Sequence, residues 1–363
     1  MAPEAQITAV IAVHSTARPI ARAVKSCLNV RDRDLVTVVV VCHNIAIEEI
    51  RTQLDDVDDD RICYLQLNDG LRSPAAPKNL GLRETTTPYV ILVDSDDYLQ
   101  DGALEQWHDN LRKKGAGGVI APLQLQSGAV VRTPRARVGR RHALDAVKDQ
   151  LAYATAPRGL WSTSLLRSIG FEYTEGLRTA EDLAPGLGLW FSGARFEYPE
   201  GPHYVLGEDA ADRVTAEILP LDEEFQAVFR LGEQWWETLT PAARQSVATK
   251  LVRIHLLGAL VRRGQDWPWD DADRTAVRRF IATARAMSAT FGRPLSVAER
   301  TLIESVEGAG ADSETYRAAI GQFNAAPYRD KLFGPGVASN LHRESTFRHQ
   351  LRQKAHGILA WRP

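Results

Sequence analysis

The sequence predicts an α/β domain built on a mainly parallel sheet, followed by an all-helical second domain. Three observations carry this expectation: four β-branched apolar runs in the first hundred residues, helix-like stretches between them, and a change to helical spacing from about Leu221 onward. Runs that are apolar at nearly every position suit strands buried on both faces, as in parallel sheets. Strand–helix–strand connections of this length imply right-handed crossovers.

The four runs are Ile7 to Val13, Leu35 to Cys42, Ile62 to Leu67 and Tyr89 to Val93. Pro19 is suited to open the first helix, which continues through Ala21, Val24 and Leu28. Ile45 to Leu54 supplies a second helix and Pro77 to Arg83 a short third. In the later part, Val247, Leu251, Ile254 and Val261 recur at helical spacing between a Thr240-Pro241 start and a Gly264 stop. Further helices are expected over roughly Asp271 to Thr290, Ser296 to Val306 and Ser313 to Phe323. The boundary falls between Thr215 and Leu221, near Pro220, which divides the chain into residues 1–218 and 219–363. The basic tail from Arg343 to Pro363 carries Phe347, Leu351, Ile358, Leu359 and Trp361. It reads as a docked terminal helix, with an oligomer contact or a peripheral membrane contact as alternatives.

A chain of 363 residues exceeds one typical domain. With 44% hydrophobic and 25% charged residues it is not disordered, and a net charge of -2 offers no basic footprint for nucleic acid. Cys27, Cys42 and Cys63 form neither a CxxC pair nor a disulfide framework, which suits a reduced, cytoplasmic setting. The first residues do not read as a signal peptide, and no apolar run reaches the roughly 18–20 residues of a membrane span. A membrane-borne acceptor would therefore be met from the water side, at the inner face.

In an open parallel sheet, ligands bind beyond the carboxyl ends of the strands. Just past the fourth run stand Asp94-Ser95-Asp96-Asp97. Carboxylates gathered so closely repel one another unless a cation or solvent screens them, and hard oxygen donors suit Mg²⁺ or Mn²⁺ shared with a diphosphate. A solvated acidic turn is the plain alternative. A second acidic pair, Glu181-Asp182, has the chemistry of a general base for a hydroxyl. On local sequence alone, an acidic first turn of a helix running towards Trp190 explains it better. The phosphate loop GxxxxGK[ST], GxGxxG after the first strand, the GxSxG elbow and HExxH are all absent, and the nine histidines show no paired metal spacing.

Taken in order, these residues resemble the family 2 glycosyltransferases, whose fold is called GT-A. The resemblance covers roughly residues 6 to 218. Val10-Ile11-Ala12-Val13-His14-Ser15 stands where that family has its opening strand and turn, and Pro77-Lys78-Asn79-Leu80-Gly81 is similar to its A-R-N-x-G element. Asp94-Ser95-Asp96 matches its Asp-x-Asp signature. Gly159 to Leu166, then Ile169-Gly170-Phe171, resembles the segment before its acceptor-side pair, here Glu181-Asp182. The layout, a nucleotide-binding domain followed by helices, looks like the wall teichoic acid sugar transferases.

The resemblance implies an inverting, metal-dependent transfer of a sugar from a UDP-sugar donor to a hydroxyl acceptor, such as a glycan, a polyol-phosphate polymer or a lipid-linked saccharide. Asp182 would take the acceptor proton and Glu181 would orient acceptor or base. Val13, His14 and Asn44 would lie at the nucleotide base, Asp94 and Ser95 at the donor, and Arg72, Lys78 and Asn79 at its phosphates or sugar hydroxyls. Asp96 would coordinate Mn²⁺ or Mg²⁺ with His203 as a second ligand, and Arg213 would meet the diphosphate from a terminal flap. Two departures stand out. Cys42-His43-Asn44-Ile45 replaces the family's Asp-Asp-Gly-Ser, one Asp of which commonly binds the base, and Ala12 and His14 replace frequent Pro and Tyr. They motivate one rival reading, a non-catalytic nucleotide- or glycan-binding module. Trp235, Trp236, Trp267 and Trp269 offer stacking faces for sugar, or material for the core or a homo-oligomer contact.

Overall fold

The first apolar run becomes β1 (Ile7–Val13), buried at every position except Ala12. Burial of each Val or Ile side chain is worth about 1.5–3 kcal/mol. α1 (Ile20–Leu28) buries Ile20, Ala23, Val24 and Cys27, the i, i+3, i+4, i+7 stripe of an amphipathic helix. β2 (Val36–His43), α2 (Ile47–Thr52), β3 (Ile62–Leu67), α3 (Ala75–Glu84) and β4 (Tyr89–Leu92) complete the alternation within one or two residues of expectation. β5 (Tyr98–Leu99), α4 (Ala103–Lys114), β6 (Gly118–Ile120), β7 (Leu123–Leu125) and β8 (Val130–Val131) follow. Next come β9 (Gly159–Ser162), α5 (Thr163–Ser168), α6 (Leu183–Trp190), β10 (Phe196–Glu197) and β11 (Tyr204–Leu206).

This architecture comes from a computed structural model in which residues 5–209, 218–308 and 312–360 are described. They fall into two compact units. One lies within Met1–Pro134, Arg140–Asp145 and Ala154–Val214, the other within Arg135–Gly139, Ala146–Tyr153 and Thr215–Pro363.

In the first unit a seven-stranded sheet has the order β10-β6-β9-β4-β1-β2-β3. The pairs β1 with β2, β1 with β4, β2 with β3, and β6 with β10 are parallel. β9 alone runs antiparallel, to both β4 and β6. The sheet is thus mixed but mostly parallel, and β1 to β4 end at one rim. A second sheet, β5-β11-β7-β8, places β11 antiparallel to β5. α3 lies close on the large sheet because Gly81 has no side chain: a Cβ there would stand 2.2 Å from Val10 Cγ1. α6 is fixed by Trp190, whose ring meets Trp161 edge-on at 5.5 Å and whose indole N–H donates to Ala154 O at 3.0 Å.

The second unit contains α7 (Leu221–Glu224), α8 (Gln226–Phe229), α9 (Glu233–Glu237) and α10 (Pro241–Lys250). Thr240 caps α10 by accepting from Ala243 N. α10 passes through a π-helical stretch, Leu251–Leu256, into α11 (Leu257–Arg263). That wider turn shifts the helical phase. Val247 and Leu251 are fully buried, whereas Ile254 and Val261 face outward at 40% and 37% exposure. α12 (Asp271–Met287) ends three residues before the expected Thr290. α13 (Val297–Glu307) starts at a Ser296/Glu299 capping box, and α14 (Ser313–Ala325) at an Asp312 cap.

α15 (Tyr328–Leu332), α16 (Val337–Leu341) and α17 (Thr346–Ala360) close the unit. Phe347 packs against Phe333 at 5.0 Å, and Arg352 donates to Arg135 O, so the tail helix is docked; Trp361 lies outside the described residues. Trp236 and Trp269 are core residues, and Trp269 stacks on Tyr316 at 4.5 Å. Arg253 grips Glu299 at 2.8 Å and donates to Tyr153 Oη, which holds the 146–153 segment in this unit. Among the described residues no helix is long and apolar enough to cross a membrane.

Candidate active site

The rim at the end of β4 carries a network of ion pairs. After β4 the chain turns at once, with Asp97 N–H donating to Asp94 O at 2.9 Å. Asp94 N–H donates to Tyr204 Oη of β11 at 3.0 Å. Two cations hold the Asp94 carboxylate: Lys78 of α3 at 3.1 Å and Arg158, just before β9, at 3.0 Å. Lys78 also reaches Glu181 Oε1 at 3.5 Å. Burial works against these charges, yet Lys78 and Arg158 outweigh it and keep Asp94 well below the usual carboxylate range. Burial likewise opposes the ammonium of Lys78, but Asp94 and Glu181 raise its pKa.

The neighbouring aspartates sit differently. Asp97 is 4% exposed and accepts from Gly207 N at 2.9 Å, and Arg158 Nε is 3.6 Å away. Burial, with the Asp94 charge beside it, pushes the Asp97 carboxyl up to about 7. Asp96 pairs with Arg18 Nη1 at 2.9 Å. His203 Nδ1 lies 3.0 Å from Gln100 Oε1. The Gln100 amide is oriented by its own donation to Gln124 Oε1 at 2.7 Å, so Nδ1 of His203 is the donor and Nε2 keeps the lone pair. Burial lowers the His203 pKa and favours this neutral form.

Glu181 and Asp182 follow a left-handed residue, Ala180 at φ 58°, a conformation costing about 1–3 kcal/mol that the surroundings must impose. Glu181 O accepts from Thr174 N at 2.9 Å. Burial raises the Glu181 pKa and Asp182 adds to that, while Lys78 opposes. Asp182 occupies the N-cap position of α6, yet its side chain makes no cap hydrogen bond. The pair thus stands at the start of the helix that runs to Trp190, as local sequence suggests, and there the helix dipole favours a carboxylate even without a cap bond.

Residues 8–168 match the family model described as Glycosyl transferase family 2. That stretch, less than half of the chain, is similar to the family 2 glycosyltransferases. Among curated relatives, a poly(ribitol-phosphate) β-glucosyltransferase of Bacillus spizizenii is 20% identical over 196 residues. That alignment covers 53% of this chain and 29% of the relative. The poly(ribitol-phosphate) β-N-acetylglucosaminyltransferase TarS of Staphylococcus aureus is 24% identical over 183 residues, covering 47% of this chain and 29% of that protein. The alignments thus span less than a third of either relative. The crystal structure of S. aureus TarS 1-349 in complex with UDP-GlcNAc superposes with a TM-score of 0.66 at 16% identity, over 88% of this chain and 91% of that one. At that identity the likeness shows the fold, a GT-A-like sheet followed by helices.

Within the first unit, the structure joins Lys78, Asp94 and Glu181 directly, and distributes the other expected residues. Ser95 is buried beside them. Val13 is 1% exposed and belongs to the core, while His14 and Arg72 are exposed. Asn44, at φ 56°, donates to Asp69 and Leu71 O and accepts from Gly70 N, so its amide organises the β2–β3 rim. Asn79 is 1% exposed; its amide bonds Tyr173 N and O and Glu175, which gives it a packing role instead of a donor contact. Arg213 lies outside the described residues.

Sequence reasoning missed Arg18, Arg22, Arg158 and Asp69, the last paired with His43 at 2.8 Å. Arg18 and Arg22 do carry a signal, four residues apart, one just before the Pro19 cap of α1 and one in its first turn; Arg158 carries none.

A preformed cluster of three His, Cys, Asp or Glu able to hold a metal is not found among the described residues. Mg²⁺ is commonly held by one or two carboxylates together with substrate phosphates, and Asp96 supplies hard oxygen of that kind. His203, with Nδ1 engaged and Nε2 kept basic, has the second-sphere pattern of a ligating histidine. Asp96 thus fits a divalent ion shared with the substrate, whereas His203 stands opposite Gln100 on the β5–β11 ladder, four residues before the Gly207 that packs on Asp96, so the fold does not bring the two expected ligands together.

Proposed function

We propose that this chain transfers a sugar from a UDP-sugar to a hydroxyl of a polyol-phosphate polymer, with inversion and with Mn²⁺ or Mg²⁺ as cofactor. The observation that carries the reading is the assembly at the rim of the sheet. Lys78 ties Asp94 to Glu181, and Asp182 stands next in the chain with its carboxylate uncommitted to any helix cap. The donor and acceptor are inferred from the relatives' printed names and from the UDP-GlcNAc bound in the TarS structure.

In this reading His14 and Asn44 line the base, and Arg72 meets the phosphates. Lys78 keeps Asp94 ionised and oriented towards the ribose. Asp96 would hold the divalent ion, which would offset negative charge on the departing diphosphate. Asp182 accepts the proton of the attacking hydroxyl. Glu181, fixed by Lys78, orients the acceptor and keeps Asp182 in register. Attack from the side opposite the diphosphate inverts the anomeric centre.

The test is purified protein with UDP-glucose or UDP-N-acetylglucosamine, Mn²⁺ or Mg²⁺, and either poly(ribitol phosphate) or poly(glycerol phosphate). We expect UDP release that requires both metal and polymer. A protein whose melting point no UDP-sugar raises, and which releases no UDP with either polymer, refutes the reading.

A further inference from the structure

Arg22 makes contacts that none of these roles uses. From the first turn of α1 its guanidinium donates Nη2 to Asp96 O at 2.5 Å and to Asp209 Oδ1 at 2.9 Å, and Nη1 to Asp209 Oδ2 at 2.7 Å. It also lies over the Tyr98 ring, 4.9 Å from its centroid. The fork geometry is bidentate on Asp209 and leaves one donor for the Asp96 carbonyl.

The same two strands of chain meet again beside it. Gly207 follows β11 and packs so tightly on the aspartate turn that a Cβ there would stand 1.9 Å from Asp96 O. Its N–H donates to Asp97 Oδ1 at 2.9 Å. The next residue, Glu208, is tethered in turn: its N–H donates to Gln126 Oε1 at 2.9 Å, and its carboxylate accepts from Ser127 N at 2.6 Å. The backbone around Asp96 is therefore held by the segment leaving β11, and Arg22 is the side chain that spans the two.

We propose that the Arg22–Asp209 pair is a positioning device: it clamps the Asp96 peptide to residues 207–209, so that the aim of the Asp96 carboxylate at the donor diphosphate depends on both partners. The inference rests on the UDP-sugar reading above and deepens it. Arg18 holds the carboxylate end of Asp96, and Arg22 holds its main chain. Arg22 is 27% exposed and Asp209 47%, and a pair of that exposure contributes little to folding, about 0–1 kcal/mol. A misplacement of about 1 Å at a reacting group, by contrast, costs on the order of 10²-fold in rate. The two roles therefore separate in experiment.

Arg22→Gln, Asp209→Asn and the double variant are compared with the wild type in three measurements. Calorimetric titration with UDP-GlcNAc and Mn²⁺ should give an affinity about tenfold weaker for each single variant, and no further loss in the double variant. Melting temperatures should agree within about 2 °C. Amide hydrogen exchange without ligand should speed up at Asp97 and Gly207 together in Arg22→Gln. Wild-type affinity in the single variants, additive losses in the double variant, or a loss that tracks a lowered melting point would each overturn the proposal. If wild-type protein fails to bind UDP-GlcNAc, the UDP-sugar reading falls. The exchange data then still decide the clamp, since unchanged exchange at both amides rejects it.

Discussion

Replacing Lys78 by Met tests the ion-pair network at its centre. Methionine keeps the length and most of the apolar stem but removes the charge that stands 3.1 Å from Asp94 and 3.5 Å from Glu181. Removing one member of a fully buried pair costs about 3–5 kcal/mol, because the partner is left as an uncompensated charge. Here the side chains of Lys78 and Glu181 are 15% and 12% exposed, but that of Asp94 is 32% exposed and keeps Arg158. The exposure calls for a discount, so the expected loss at pH 7.5 is about 2–4 kcal/mol, on the order of 10 °C in melting temperature.

The pH dependence supplies the stricter check. In the wild type Asp94 is held far below its ordinary value, so its stabilising contribution is present above about pH 4 and lost only in strong acid. The raised pKa of Lys78 gives a contribution present below its ordinary value and lost only at very high pH. Between those limits the wild-type term is flat. In Lys78→Met, Glu181 loses the cation that opposed its burial, and its carboxyl rises further. A raised acid destabilises the fold as pH climbs through its folded pKa, so the variant should lose more stability at pH 8 than at pH 5. Urea unfolding at both pH values measures this. A loss below about 1 kcal/mol at pH 7.5, or an equal loss at both, would show that Lys78 is not the counter-ion of this site.

Three further outcomes follow from the same geometry. Asp182→Asn should retain UDP-sugar binding but lose about 10²–10⁴ in transfer rate, and near-normal turnover would remove Asp182 from the role of base. Asp97→Asn keeps an acceptor for Gly207 N and removes a carboxyl pushed up to about 7. It should stabilise the protein at pH 8 by about 1–3 kcal/mol and by nearly nothing at pH 4, measured by thermal unfolding in the two buffers. Asn79→Ala leaves Tyr173 N–H and C=O unpaired in the interior and should cost about 1–3 kcal/mol in stability; an unaltered urea midpoint would contradict its packing role.

How far the site was legible follows from what kind of signal each residue leaves. β1, β2 and β4 are buried on both faces, so their composition alone marks them as parallel strands; β3, the edge strand, is only half-buried although its sequence reads the same way, and the acidic turn after β4 is contiguous in sequence. β9 is apolar like its neighbours but antiparallel, and its direction depends on the route of the chain from β6, which no local pattern encodes. The π-helical stretch at Leu251–Leu256 is likewise silent: it turned Ile254 and Val261 outward although their spacing reads as one buried stripe.

The carboxylates of the site come in adjacent groups and could be found by eye, whereas the cations that hold them arrive singly from far along the chain. Arg158 meets Asp94 across 64 residues, Lys78 meets Glu181 across 103, and Arg22 meets Asp209 across 187. A lone basic residue before a strand looks like any solvated charge until folding buries a carboxylate beside it. The acidic groups thus mark the candidate site, while the ionisation of Asp94 and Asp97 is set by burial and by distant partners. Asp94, with two cations, is kept ionised, while Asp97 in the same turn, more deeply buried and farther from Arg158, is pushed up to about 7. Two aspartates three residues apart therefore carry opposite shifts, separated by depth of burial and by the placement of Lys78 and Arg158.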